Sequence, residues 1–154
     1  MQTQPALPSL PPLWPRFLGL AGLLPQALAM FALLGGNPEA RYVALACAFA
    51  YAALILSFLG GTWWGLAAAS GTAPRWLWIA AVVPSLIAFA SAYPWMVGEP
   101  WPQPSLVMLA AALIASLGVD WQLRRIGIAP SWWLSLRLPL SLGLGGLTLA
   151  IAYL

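Results

Sequence analysis

Between Arg41 and Arg75 the chain carries no charged side chain. That stretch holds YAALILSFLGGTWWG, Tyr51 to Gly65, and otherwise little but apolar and small residues. About 20 apolar residues suffice to cross a hydrocarbon core, so this run by itself argues against a soluble fold. The rest of the chain agrees. Of its 154 residues, 62% are hydrophobic and 6% charged, where a soluble domain is roughly one quarter charged. Backbone groups in lipid must find their partners within the protein. Apolar runs parted by short polar breaks therefore read as helices, and the fold class is an all-α integral membrane bundle of five transmembrane helices.

Residues 1–15, MQTQPALPSLPPLWP, hold five prolines and no periodic pattern. They read as an extended or disordered tail without the basic start and cleavage site of a signal peptide. Residues 16–154 form the single membrane domain. Its first span runs from about Phe17 to Leu34, with a kink expected at Pro25. Gly19 and Gly22, just before that kink, are expected to receive a neighbouring helix. The second span starts near Tyr42 and is expected to continue, tilted, through Gly60–Gly61 to Ala69. The third covers Trp76 to about Trp95 with a kink at Pro84, and the fourth Ser105 to about Leu123. In the connection from Arg124 to Arg137, Trp132, Trp133, Leu134 and Leu136 predict a short amphipathic helix in the interface. The fifth span is Leu138 to Leu154.

With five spans the chain ends face opposite sides. Arg16, Arg75, Arg124, Arg125 and Arg137 then share one face, while Arg41, Glu39 and Glu99 share the other. Positive residues concentrate on the cytoplasmic side, so the N-terminus is expected in the cytoplasm and the C-terminus in the periplasm. The scattered arginines make no basic patch, which argues against nucleic-acid binding.

Candidate chemistry is sparse. The chain has no histidine, hence neither the commonest metal ligand nor the commonest general base. No metal site, cofactor signature or catalytic residue is indicated, and the chain reads as a non-enzyme. Cys47 reads as a small buried hydrophobe. GLGG, Gly143 to Gly146, lies in an apolar span and reads as helix packing rather than a phosphate loop. Asp120 is the acid nearest membrane depth, and such a group usually pairs or serves a pathway. An ion pair with Arg124 or Arg137 would pin span four to span five, and with Arg125 the same residues would make a head-group site. Along span two, Ala53, Ser57, Gly61, Gly65 and Ala69 form a stripe of small residues that would admit a neighbouring helix. Ser57, Gly60, Gly61, Trp63, Trp64 and Gly65 are thus candidates for helix packing or for a ligand. Trp14, Trp76, Trp95, Trp101, Trp121, Trp132 and Trp133 lie near predicted membrane edges, as interfacial anchors do. Trp64, with Trp63 beside it, is flanked by glycine and reads as helix packing or, in the competing reading, as the wall of a pocket closed near Asp120 and Arg137.

LSFLGG-x-x-WG in the second span, GLAGLLPQ in the first, VVPSLIAF in the third and APSWWLSLR before the fifth together resemble a known pattern. It is that of the domain of unknown function 3429 family, which includes transmembrane protein 69-like small membrane proteins. The resemblance implies five helices in a bacterial inner membrane and carries no activity with it. The five-span, tryptophan-rich layout is also similar to the translocator proteins, which hold tetrapyrroles and sterol-like ligands. Two functional expectations follow. The leading one is a non-enzymatic bundle acting through helix–helix contacts, as an assembly factor or homo-oligomer centred on span two. The alternative is a binder of a flat hydrophobic ligand (tetrapyrrole, sterol-like molecule or lipid) in a Trp-lined pocket. The partners expected are the lipid bilayer, then a protein partner or hydrophobic small molecule.

Overall fold

The computed structural model describes residues 10–98 and 102–154. The elements are α1 (Leu13–Ala21), α2 (Leu24–Leu34), α3 (Pro38–Ser70), α4 (Arg75–Ala90), α5 (Tyr93–Met96), α6 (Gln103–Arg125) and α7 (Trp133–Ala152). They make five units long and apolar enough to cross a membrane, α1–α2 and α4–α5 each counting as one interrupted span. The chain is a multi-pass membrane protein. Residues 1–9, most of the expected tail, and 99–101, with Glu99 and Trp101, lie outside the described residues. The helix starts at Leu13, so Trp14, Pro15 and Arg16 belong to the first span rather than to a tail.

Proline explains the interruptions. Pro25 has no N–H to give, and the chain turns at Gly22–Leu23 so that Pro25 falls in the first turn of α2, where the missing donor costs nothing. The Tyr51 hydroxyl of α3 donates to the Gly22 carbonyl at this break. Pro84, by contrast, lies inside α4. The actual interruption of the third span comes at Ser91–Ala92, with Pro94 in the first turn of α5.

α3 runs unbroken for 33 residues, through the Gly-Gly pair. Asn37 caps it by accepting from the Glu39 N–H at 3.0 Å, and Pro38 and Glu39 suit a first turn. Gly71, at φ 65°, ends it in the left-handed conformation that only glycine adopts cheaply. The amphipathic interfacial helix does not form. The chain from Ile126 to Trp132 turns back on itself, and Trp133 to Arg137 are the opening of α7.

Three apolar layers stack along the bundle. At one end Leu33, Ala44, Ala48, Leu106 and Ile151 join α2, α3, α6 and α7. The middle holds Leu56, Leu59, Leu109, Leu113 and Leu144. The far end gathers Trp63, Ala67, Leu77 and Leu123. Late α3 thus meets early α4 and late α6, as alternating crossings require.

α3 touches α2, α4, α6 and α7, but not through the expected stripe. Its buried line is Ala48, Ala52, Leu56, Leu59–Gly60, Trp63 and Ala67. Gly61 and Gly65 are exposed, with nothing within 4 Å of an added Cβ. The close approach belongs to Gly60, where an added Cβ would run into the Ala81 carbonyl of α4. Cys47 is exposed as well, one position off the buried line. Elsewhere glycines do admit neighbours. Gly19 faces Leu140, an added Cβ there meeting Leu140 Cδ1 at 2.8 Å, and Gly145 faces Ile114 and the Ala110 carbonyl of α6.

Candidate functional site

Asp120 and Arg137 form the polar centre. On α6, Leu109, Leu113, Ser116, Asp120 and Leu123 recur at steps of three and four and are all buried, so the face that packs inward carries the acid with it. Asp120 is wholly buried. Its Oδ2 accepts from Arg137 Nε at 2.9 Å. Its Oδ1 accepts from two indoles, Trp63 Nε1 and Trp133 Nε1, each at 2.9 Å. Arg137 Nη2 also donates to Ser141 Oγ at 2.9 Å and to Ser116 Oγ at 3.5 Å. A desolvated carboxylate is tolerated only when paired and hydrogen-bonded. Here two other helices, α3 and α7, supply its donors.

The geometry sorts the candidates. Asp120, Arg137 and Trp63 come together. Arg124 does not join them: its Nε donates to the Ser131 carbonyl at 3.1 Å, back onto the following loop. Arg125 lies over the Trp121 ring, 5.3 Å from its centroid. The four-residue head-group cluster therefore reduces to one ion pair. Trp64 is 49% exposed and meets Trp78 edge-on at 4.9 Å, so it walls no interior pocket. Ser57 shares a hydrogen bond of 2.9 Å with Ser85, joining α3 to α4 beside Gly60. Gly61 and Gly65 look outward.

Trp133, read from sequence as an interfacial anchor, instead turns inward to Asp120. Its sequence neighbourhood gives no sign of this, because Trp132 beside it has the same surroundings. The Ser116–Asp120 and Arg137–Ser141 spacings of four are the one signal that sequence reading passed over. A second buried polar contact, Gln26 Nε2 to Thr148 Oγ1 at 2.8 Å, ties α2 to α7.

Beside the ion pair lies a cavity of about 390 Å³, within the usual range for small-ligand sites. Leu18, Gly19 and Leu23 wall it on one side, Ile55, Phe58 and Thr62 of α3 on another, and Trp133, Arg137 and Leu140 of α7 on a third. α1 has no buried residue, which leaves room beneath it. Leu18 and Phe58 line the cavity while being 62% and 65% exposed, so its mouth lies among side chains that face the acyl chains. Among the described residues no cluster of Cys, Asp or Glu converges as metal ligands would. Asp120 and Arg137 are joined as one ion pair, with indole and hydroxyl groups hydrogen-bonded around it.

No curated protein and no solved structure matches the chain. A family model described as "Protein of unknown function (DUF3429)" matches residues 11–154. The match takes in the buried ion pair, both partner tryptophans and every wall of the cavity, and on that extent the chain belongs to the DUF3429 family.

Proposed function

We propose that the protein is a non-enzymatic component of a bacterial inner membrane, N-terminus cytoplasmic, that holds a small hydrophobic molecule between α1, α3 and α7. The observation that carries this reading is the lipid-side cavity with an arginine in its wall. It retains the kind of ligand expected from the sequence but changes the lining: Trp133 stands where Trp64 was expected. Native mass spectrometry of protein purified in mild detergent tests it. A co-purifying or added hydrophobic molecule should bind saturably to the wild type, and Leu140→Trp, which fills the cavity, should abolish that binding. Saturable binding that Leu140→Trp leaves unchanged would rule out this cavity as the site.

A second reading, association through α3, is favoured by the outward turn of Gly61 and Gly65. Both leave open space beside the helix, and small residues on a lipid-facing surface let another backbone come close. Crosslinking in native membranes should then yield a self-dimer or a partner adduct that Gly61→Leu removes.

A further inference from the structure

Arg137 is 7% exposed, lines the cavity and is held on its far side by Asp120. A guanidinium has five N–H donors. The bonds above engage Nε and Nη2, so an occupant that reaches Nη1 would meet the two remaining N–H groups. Two hydroxyls share the wall with it. Thr62 spends its one donor on the Leu59 carbonyl at 2.7 Å, whereas Ser141 accepts from Arg137 and keeps its own O–H to donate. The wall thus offers donors to a ligand, and an acceptor is the complementary group.

Charge then separates two kinds of acceptor. The positive charge of Arg137 is already matched by Asp120 at 2.9 Å, and no second cationic residue lines the cavity among the described residues. An anionic head would leave one uncompensated negative charge in a low-dielectric site, which is costly. A neutral carbonyl pays no such penalty and still receives a charge-assisted bond. The rest of the wall, from Leu23 and Ile55 to Leu113 and Leu144, is apolar and suits a chain.

We propose that the cavity selects a neutral amphiphile with a carbonyl head, such as an ester or quinone, seated with the head on Arg137 and the tail toward Leu113 and Leu144. This rests on the binding reading above and narrows it to one ligand class. The test is native mass spectrometry at pH 8 with three probes sharing a twelve-carbon chain: methyl laurate, ionised laurate and dodecane. Methyl laurate should bind at least about tenfold more tightly than dodecane, given the strength of a hydrogen bond to a charged donor, and more tightly than laurate. In Asp120→Asn/Arg137→Gln, which removes both charges together, the preference over dodecane should shrink to a few-fold. Laurate binding as well as or better than the ester would overturn the proposal, as would an ester no better than dodecane. Both outcomes leave the binding reading standing, whereas no uptake of any probe by the wild type defeats the two together. The wild-type series decides the matter even where the double variant does not fold.

Discussion

A carboxylate with no exposed surface has nowhere to lose a partner, and Asp120 has three within the bundle. Asp120→Ala leaves Arg137 buried and unpaired, a class of change that costs about 3–5 kcal/mol. Thermal unfolding in detergent, followed by circular dichroism, should show a large drop in midpoint. Trp63→Phe and Trp133→Phe each delete one donor to the same oxygen, and each should cost about 1.5–3 kcal/mol. Equal small losses from all three variants would contradict the arrangement. The glycine pair offers a sharper contrast. Gly60→Ala places a methyl against the Ala81 carbonyl, where backbone rather than a flexible side chain must yield, so a loss of about 1–3 kcal/mol is expected. Gly61→Ala meets open space and should leave stability unchanged or raise it by up to about 1 kcal/mol. From sequence the Gly-Gly pair was legible as a packing point, but not which member packs. A shift of one residue turns a helical position by about 100°, and the small residues flanking both glycines fit either rotation.

At the scale of elements, what could be read was whatever proline and length dictate. Pro25 announced an interruption in the first span, and a stretch without charge from Tyr42 onward announced a helix longer than the bilayer requires. The interfacial helix failed for a different reason. Trp132, Trp133 and Leu134 satisfy an amphipathic pattern, but Gly127, at φ 75°, and Pro130 turn the chain before it can lie flat. Trp133 is then captured by an acid 13 residues away, which no local pattern encodes. The α1–α2 break has a testable dependence on α3. Tyr51 is the side chain that satisfies the Gly22 carbonyl, and α1 buries nothing of its own. Tyr51→Phe should cost about 1 kcal/mol globally. The sharper expectation is local: amide hydrogen exchange in Leu13–Ala21 should rise well before exchange in α6 or α7 does. Uniform acceleration along the chain, or none, would mean that α1 is fixed by something other than this bond.

For the whole molecule, long apolar runs parted by short polar breaks were enough for class and number of spans, because a helix satisfies its polar backbone within one such run. Orientation depends on charges that the fold partly withdraws. Five arginines were counted toward one face, yet Arg137 is buried and neutralised by Asp120. Arg16, Arg75, Arg124 and Arg125 remain exposed there. On the opposite side Arg41 donates through Nη2 to the Leu154 carbonyl at 2.9 Å, which draws the start of α3 against the end of α7. Four exposed arginines thus stand against the half-buried Arg41, and the expectation of a cytoplasmic N-terminal end rests on that bias. Reporter fusions at the α1–α2 end and in the loops check this. A fusion inserted between Gly127 and Ser131 should report the cytoplasm, and one at Gly36 the periplasm. Because Arg124 and Arg125 lie outside the ion pair, Arg124→Ala/Arg125→Ala should weaken the orientation signal and leave the unfolding midpoint near that of the wild type. Arg137→Gln should do the reverse, lowering stability sharply while the reporters keep their sides. A topology that follows Arg137 instead would mean that its charge acts during insertion, before Asp120 is there to cancel it.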